Sequence, residues 1–241
     1  MIAGNLFSCK TPNYAFSIRL FGFNVIKLNK ENREGVYGLE TGLLLKKYKE
    51  NYEKIFDVFY PAKNSTGFTE RNLSVNFAKA YEKINPNAIT WYEFQFGEKS
   101  NLHYDAVIIN PEKMELILIE SKRFTNPSRK IKEIECDIAR INQSISEYCT
   151  DFSSRIDNFE KYMVIGVVLC DVWTETKSKT DIRDSFQNSE FLNNYLPDLC
   201  AQEDKSFENT EYFCLDFGSL KRYESLSKNY HLLGMIWELS R

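Results

Sequence analysis

Residues 103–122 read HYDAVIINPEKMELILIESK, two apolar, β-branched runs on either side of the turn-forming segment NPEK at 110–113. This pattern predicts an antiparallel hairpin with strands over 104–109 and 114–120. With NPEK as the connection, Ile109 faces Met114 and Asp105 faces Leu118. Directly opposed residues share a face, as do residues two apart on one strand. Asp105, Leu118, Glu120 and Lys122 therefore project from one side, with Asp105 and Glu120 as diagonal neighbours. A slip of one residue in the turn would undo this arrangement. Two such carboxylates can share one hard divalent cation, and oxygen ligands with several retained waters suit Mg²⁺, with Mn²⁺ as a substitute. Lys122 then stands beside the cation as a positive charge able to orient a water and stabilise a pentavalent phosphate.

The flanking sequence supplies the layers around this hairpin. Thr69 can cap a helix running to Ile84, with Leu73, Phe77, Ala80, Tyr81 and Ile84 on one stripe and NPN at 85–87 ending it. Residues 89–96 alternate as a strand, so the hairpin becomes part of a three-stranded meander. Ile131, Ile134, Ile138, Ile141 and Ile145 mark an amphipathic helix over 130–148. The run YMVIGVVLC at 162–170 is a strand covered on both faces, hence central in a sheet. A weaker helical pattern lies at 182–196, a short strand at 212–217 and a terminal helix at 219–238. Upstream, 14–29 reads as a bent strand or hairpin and 38–59 as a helix. PAKNSTG at 61–67 is the one breaker-rich boundary before the core helix. It divides an N-terminal extension, residues 1–67, from a second region, residues 68–241.

By itself an E-x-K triplet is common and reads as the solvated end of a strand. In context it says more, because Asp105 in one strand, 14 intervening residues, then ESK closing an apolar strand, within the order helix, three strands, helix, strand, resembles the core of the PD-(D/E)xK nucleases. The resemblance covers roughly residues 69–170. It implies a restriction-endonuclease-like α-β-β-β-α-β core, an α/β (α+β) fold with a mixed central sheet flanked by helices. TERNLSVNFAKAYEKI resembles the first core helix of those members in which a Glu near the helix start completes the metal site, and Glu70 is the matching position. The family's catalytic set carries over as Glu70, Asp105, Glu120 and Lys122, with the Ser121 carbonyl as a further metal ligand beside Asp105, Glu120 and Glu70. The residue before Asp105 is Tyr104 instead of the eponymous proline, a position without chemistry. The activity implied by the resemblance is that of a Mg²⁺-dependent deoxyribonuclease, in keeping with restriction or phage defence. The alternative is a catalytically inactive nuclease-like domain that binds nucleic acid or an assembly partner.

Composition bounds these readings. With 241 residues, 43% hydrophobic and 27% charged, the chain can bury a core without staples. The longest apolar run, 163–170, falls far short of the about 20 residues that span a bilayer. No secretory signal pattern opens the sequence, and six cysteines without a C-x-x-C pair suit reduced thiols, so the expected location is cytoplasmic. Thirty-one Lys and Arg against 34 Asp and Glu give a net charge of −3, so nucleic acid must be met by a local patch. Such a patch lies just after the E-S-K triplet: Arg123, Arg129, Lys130 and Lys132 join Lys122 with no acid between them. DNA is the expected partner, with RNA, and monomer against homodimer, left open. Glu93 is a reserve ligand and His103 a candidate contact to substrate or water near Asp105, but the favoured reading of each is a surface residue.

Overall fold

The computed structural model describes residues 39–58, 69–95, 103–202, 207, 209–217 and 229–239. The strand expected over 14–29 and the boundary expected at 61–67 lie outside the described residues. The hairpin is formed by β2 (His103–Asn110) and β3 (Glu115–Arg123), with Ala106 opposite Ile119 and Asn110 opposite Glu115. This corrects the register read from the sequence, since Ile109 faces Leu116 and not Met114. The reason is local. Asn110 stays in the strand, donating to Tyr81 Oη at 2.9 Å and accepting from the Lys113 amide at 3.2 Å, and Met114 takes a left-handed φ of 52° to finish the turn. A displacement of two residues preserves the side-chain faces, because the strand period is two.

β1 (Ile89–Gln95) completes the meander, and β4 (Met163–Trp173) runs parallel to β3. The crossover between them is α3 (Pro127–Arg155), which carries the isoleucine stripe. β5 (Glu211–Asp216) and β6 (Tyr230–Glu238) complete a mixed six-stranded sheet of order β1-β2-β3-β4-β6-β5. β4 lies inside this sheet and is buried along nearly its whole length, as its unbroken apolar run requires.

The C-terminal helix expected over 219–238 is not formed at its end, where residues 230–238 are β6. Two-sided burial decides this. Tyr230, Leu232 and Ile236 join one core, and Leu233, Met235 and Trp237 join the other. A strand sends successive residues to opposite layers, whereas a helix would concentrate them on one stripe. Gly234 lets this strand approach its neighbours, for a Cβ there would lie 2.3 Å from the Phe213 ring and 2.8 Å from the Val168 carbonyl.

The two cores lie on the two faces of the sheet. On one face Ile134, Ile138 and Ile141 of α3 pack on Leu116, Leu118 and Val168, with α4 (Lys177–Gln187), α5 (Phe191–Tyr195) and α6 (Pro197–Gln202) extending the layer. Each fully buried isoleucine contributes about 1.5–3 kcal/mol. On the other face α1 (Thr41–Val58) and α2 (Glu70–Ile84) bring Tyr48, Tyr52, Leu73, Phe77 and Tyr81 onto Ile117, Ile119, Ile165 and Val167. Helix α1 of the N-terminal region thus shares a core with α2. Thr69 occupies the N-cap position of α2, yet its side chain makes no capping hydrogen bond, contrary to the sequence expectation. No helix among the described residues is long and apolar enough to cross a membrane.

Candidate active site

The main-chain pairing of β2 with β3 runs as far as Ala106 and Ile119. One residue beyond this pairing, Asp105 Oδ2 accepts the Ser121 amide at 2.7 Å where a strand carbonyl would otherwise serve. The N–H and C=O of one strand residue point to the same side. The Ser121 carbonyl therefore faces the gap that Asp105 enters.

β1 helps open this gap. Glu93 has φ 52°, outside the strand region, and the pairing passes from Tyr92↔Ala106 to Phe94↔Tyr104 across it. The faces change there: Ala106 lies in the α1/α2 core, whereas Phe94 and Tyr104 lie in the α3 core. Asp105 sits at the changeover. A left-handed glutamate costs about 1–3 kcal/mol. Arg71 at 2.7 Å and His103 at 3.1 Å hold the Glu93 carboxylate in place.

Helix α3 completes the cluster with two residues that the sequence reading did not select. Arg140 pairs with Glu120 Oε1, and its Nη2 also reaches Asp137 Oδ1 at 2.8 Å. Lys122 Nζ lies 2.5 Å from Asp137 Oδ2 and 3.8 Å from Glu120 Oε2. Glu120 and Asp137 are buried, at 3% and 6% exposure. Burial, reinforced by Asp137, pushes the Glu120 carboxyl well above its ordinary range, with Arg140 opposing. Burial also raises Asp105, against the pull of Lys122 and of the Ser121 amide. Burial alone would lower Lys122, but Asp137, Glu120 and Asp105 outweigh it and hold the side chain as an ammonium. In this state Lys122 can stabilise developing negative charge, and it cannot accept a proton.

The remaining expected residues separate into two groups. Glu70 opens α2, where Oε1 accepts the Arg123 amide at 2.9 Å and Lys130 Nζ at 2.8 Å. It ties the end of β3 to the first turn of α3, and these partners differ from those of Asp105 and Glu120. Lys130 is further held by Glu133, and Arg123 turns toward Asp171 with Nε 3.4 Å from Oδ2. Arg129 and Lys132 are exposed and, with Lys122, Glu133, Cys136 and Asp137, line an open groove of about 400 Å³ beside the carboxylates. Arg129 pairs with Glu133 at 2.8 Å. The Ser121 hydroxyl is buried without a hydrogen bond.

Asp137 and Arg140 left a faint signal in the sequence. They flank the isoleucine stripe at i and i+3, where a polar residue is partly drawn inside with the apolar face. Among the described residues no three His, Cys, Asp or Glu side chains are grouped to hold a metal ion together. Asp105 and Glu120 are a pair of hard oxygen donors, and Lys122 and Arg140 supply the positive charge between the buried acids. Comparison with known proteins finds no matching family model, no matching curated protein and no matching solved structure.

Proposed function

We propose that this chain is a Mg²⁺-dependent nuclease with a restriction-endonuclease-like core, hydrolysing phosphodiester bonds of DNA. The observation that carries the reading is the hydrogen bond from the Ser121 amide to Asp105, which brings Asp105 beside Glu120 and Lys122 at the end of β3. Support comes from the element order α2-β1-β2-β3-α3-β4 and from the parallel β3–β4 pair, at whose carboxyl end these side chains gather. The donor set fits the metal: one or two carboxylates, a carbonyl and retained water are how Mg²⁺ is commonly held.

Asp105, Glu120 and the Ser121 carbonyl are the groups that would hold it. A bound divalent cation supplies Lewis-acid polarisation of the phosphoryl oxygen and a more acidic water. Lys122 contributes fixed positive charge next to the phosphate, in a site whose burial strengthens it. Arg129 and Lys132 give the groove two exposed cations for backbone phosphates. Glu70 braces the end of β3 through the Arg123 amide.

One observation favours a second reading, a nuclease-like domain that binds nucleic acid without cutting it: Lys122 and Arg140 already neutralise the buried acids. A cleavage assay on supercoiled, linear and single-stranded DNA, with Mg²⁺, Mn²⁺ or excess chelator, decides between them. Cleavage that needs the metal and disappears in Asp105→Asn supports the nuclease. DNA binding with no cleavage under any metal assigns the second reading.

A further inference from the structure

Arg140 engages its acids in an unusual way. Its Nη2 serves both Glu120 and Asp137, while its Nε is buried without a hydrogen bond. Guanidinium groups at carboxylates commonly use two parallel N–H donors, a fork that adds geometric specificity. Here one nitrogen stands between two carboxylates from different elements, β3 and α3, much as a single point cation would. The guanidinium also lies over the Tyr104 ring, 5.9 Å from its centroid, and a quarter of the side-chain surface is exposed.

We infer that Arg140 is an internal competitor for the divalent-cation site, occupying Glu120 and Asp137 until it is displaced. The inference rests on the proposed metal site and adds the element that regulates its loading. Cation binding must exchange one positive partner of Glu120 for another, so the observed affinity is reduced by the free energy of the Arg140 contact. Asp137, which Arg140 shares with Lys122, lines the open groove, so a guanidinium released from that acid can turn into it. A backbone phosphate there would be a second acceptor for it. Phosphate and metal therefore favour each other's binding through Arg140, and by linkage the effect is reciprocal.

The test is Mn²⁺ titration by calorimetry, with Mn²⁺ electron paramagnetic resonance as a second readout, on the full chain and on Arg140→Ala and Arg140→Lys. Competition requires Arg140→Ala to bind Mn²⁺ at least tenfold more tightly than the unmodified chain. Arg140→Lys, which keeps the charge with less reach, should lie between them and covers the case in which the alanine variant does not fold. Asp105→Asn in the Arg140→Ala background should abolish the gain. Unchanged or weaker Mn²⁺ binding in the folded Arg140 variants overturns the inference, as does a gain that survives loss of Asp105. The nuclease reading is scored apart: tighter Mn²⁺ binding without cleavage by any variant upholds the competition and removes the nuclease.

Discussion

Replacing Asp171 by asparagine should make the protein more stable at alkaline pH and leave it nearly unchanged in acid. Asp171, near the end of β4, is 2% exposed; its Oδ2 accepts from Tyr230 Oη at 3.0 Å, and its Oδ1 has no hydrogen bond. Arg123 from β3, Tyr230 from β6, Glu70 from α2 and Tyr48 and Tyr52 from α1 act on it electrostatically. Burial raises its carboxyl from an ordinary 3.8 to about 7, with Arg123 and Tyr230 opposing. Between these values the folded protein holds a proton that the unfolded chain has released. Stability accordingly falls as pH rises from about 4 through about 7, and levels off above. A difference of about 3 units corresponds to about 4 kcal/mol at most. Asparagine is neutral at every pH and mimics the protonated acid. At about 2–4 °C per kcal/mol for a domain of this size, Asp171→Asn should melt up to about 16 °C higher at pH 8, with the gap closing towards pH 4. Thermal melts followed by circular dichroism at pH 4, 6 and 8 read this directly. Parallel melting of the two proteins across that range, or an asparagine variant weaker at pH 8, would refute the reasoning.

Lys122→Ala should leave Mn²⁺ binding intact in a titration while cleavage falls by about 10² or more, since an ammonium cannot ligate the ion yet stabilises the transition state; equal cleavage rates would make Lys122 a structural partner of Asp137 only. Arg129→Ala with Lys132→Ala should weaken DNA binding for all sequences alike and flatten the slope of log affinity against log salt by about 2, measured by fluorescence anisotropy. An unaltered slope would place the nucleic acid elsewhere. Gly234→Ala should cost about 1–3 kcal/mol in denaturant unfolding through the Phe213 and Val168 contacts, and a neutral result would mean that the β5–β6 pair has room to spread.

The parts of this fold that were legible are those in which one pattern decides. The β-branched run of β4 could be buried on both faces, and the isoleucine spacing of α3 allowed a helix, so both lie where periodicity puts them. The faces of β2 and β3 from Ala106 and Ile119 to the turn survived an incorrect register because the displacement was even. The hidden parts depended on partners remote in sequence. Residues 230–238 contain spacings compatible with a helix, and only two waiting cores make them a strand. Asp137 and Arg140 acquire meaning only once α3 is docked over the end of β3. The partners of Glu70, the Arg123 amide and Lys130, come from residues 53 and 60 positions away.

The four-residue turn between Asn110 and Glu115 sets a reading frame for side chains. β3 is pinned along its length to β4, so any change in turn length must be absorbed by β2. Deleting one residue would rotate Asp105 into the α1/α2 layer and send Ala106 and Ile108 toward α3, disturbing chemistry and core together. Deleting or inserting two would keep Asp105 on its own side and slide it along β3. Length variation in this turn is therefore tolerated in even steps only, a parity rule that a series of one- and two-residue insertions would display as alternating loss and recovery of folding.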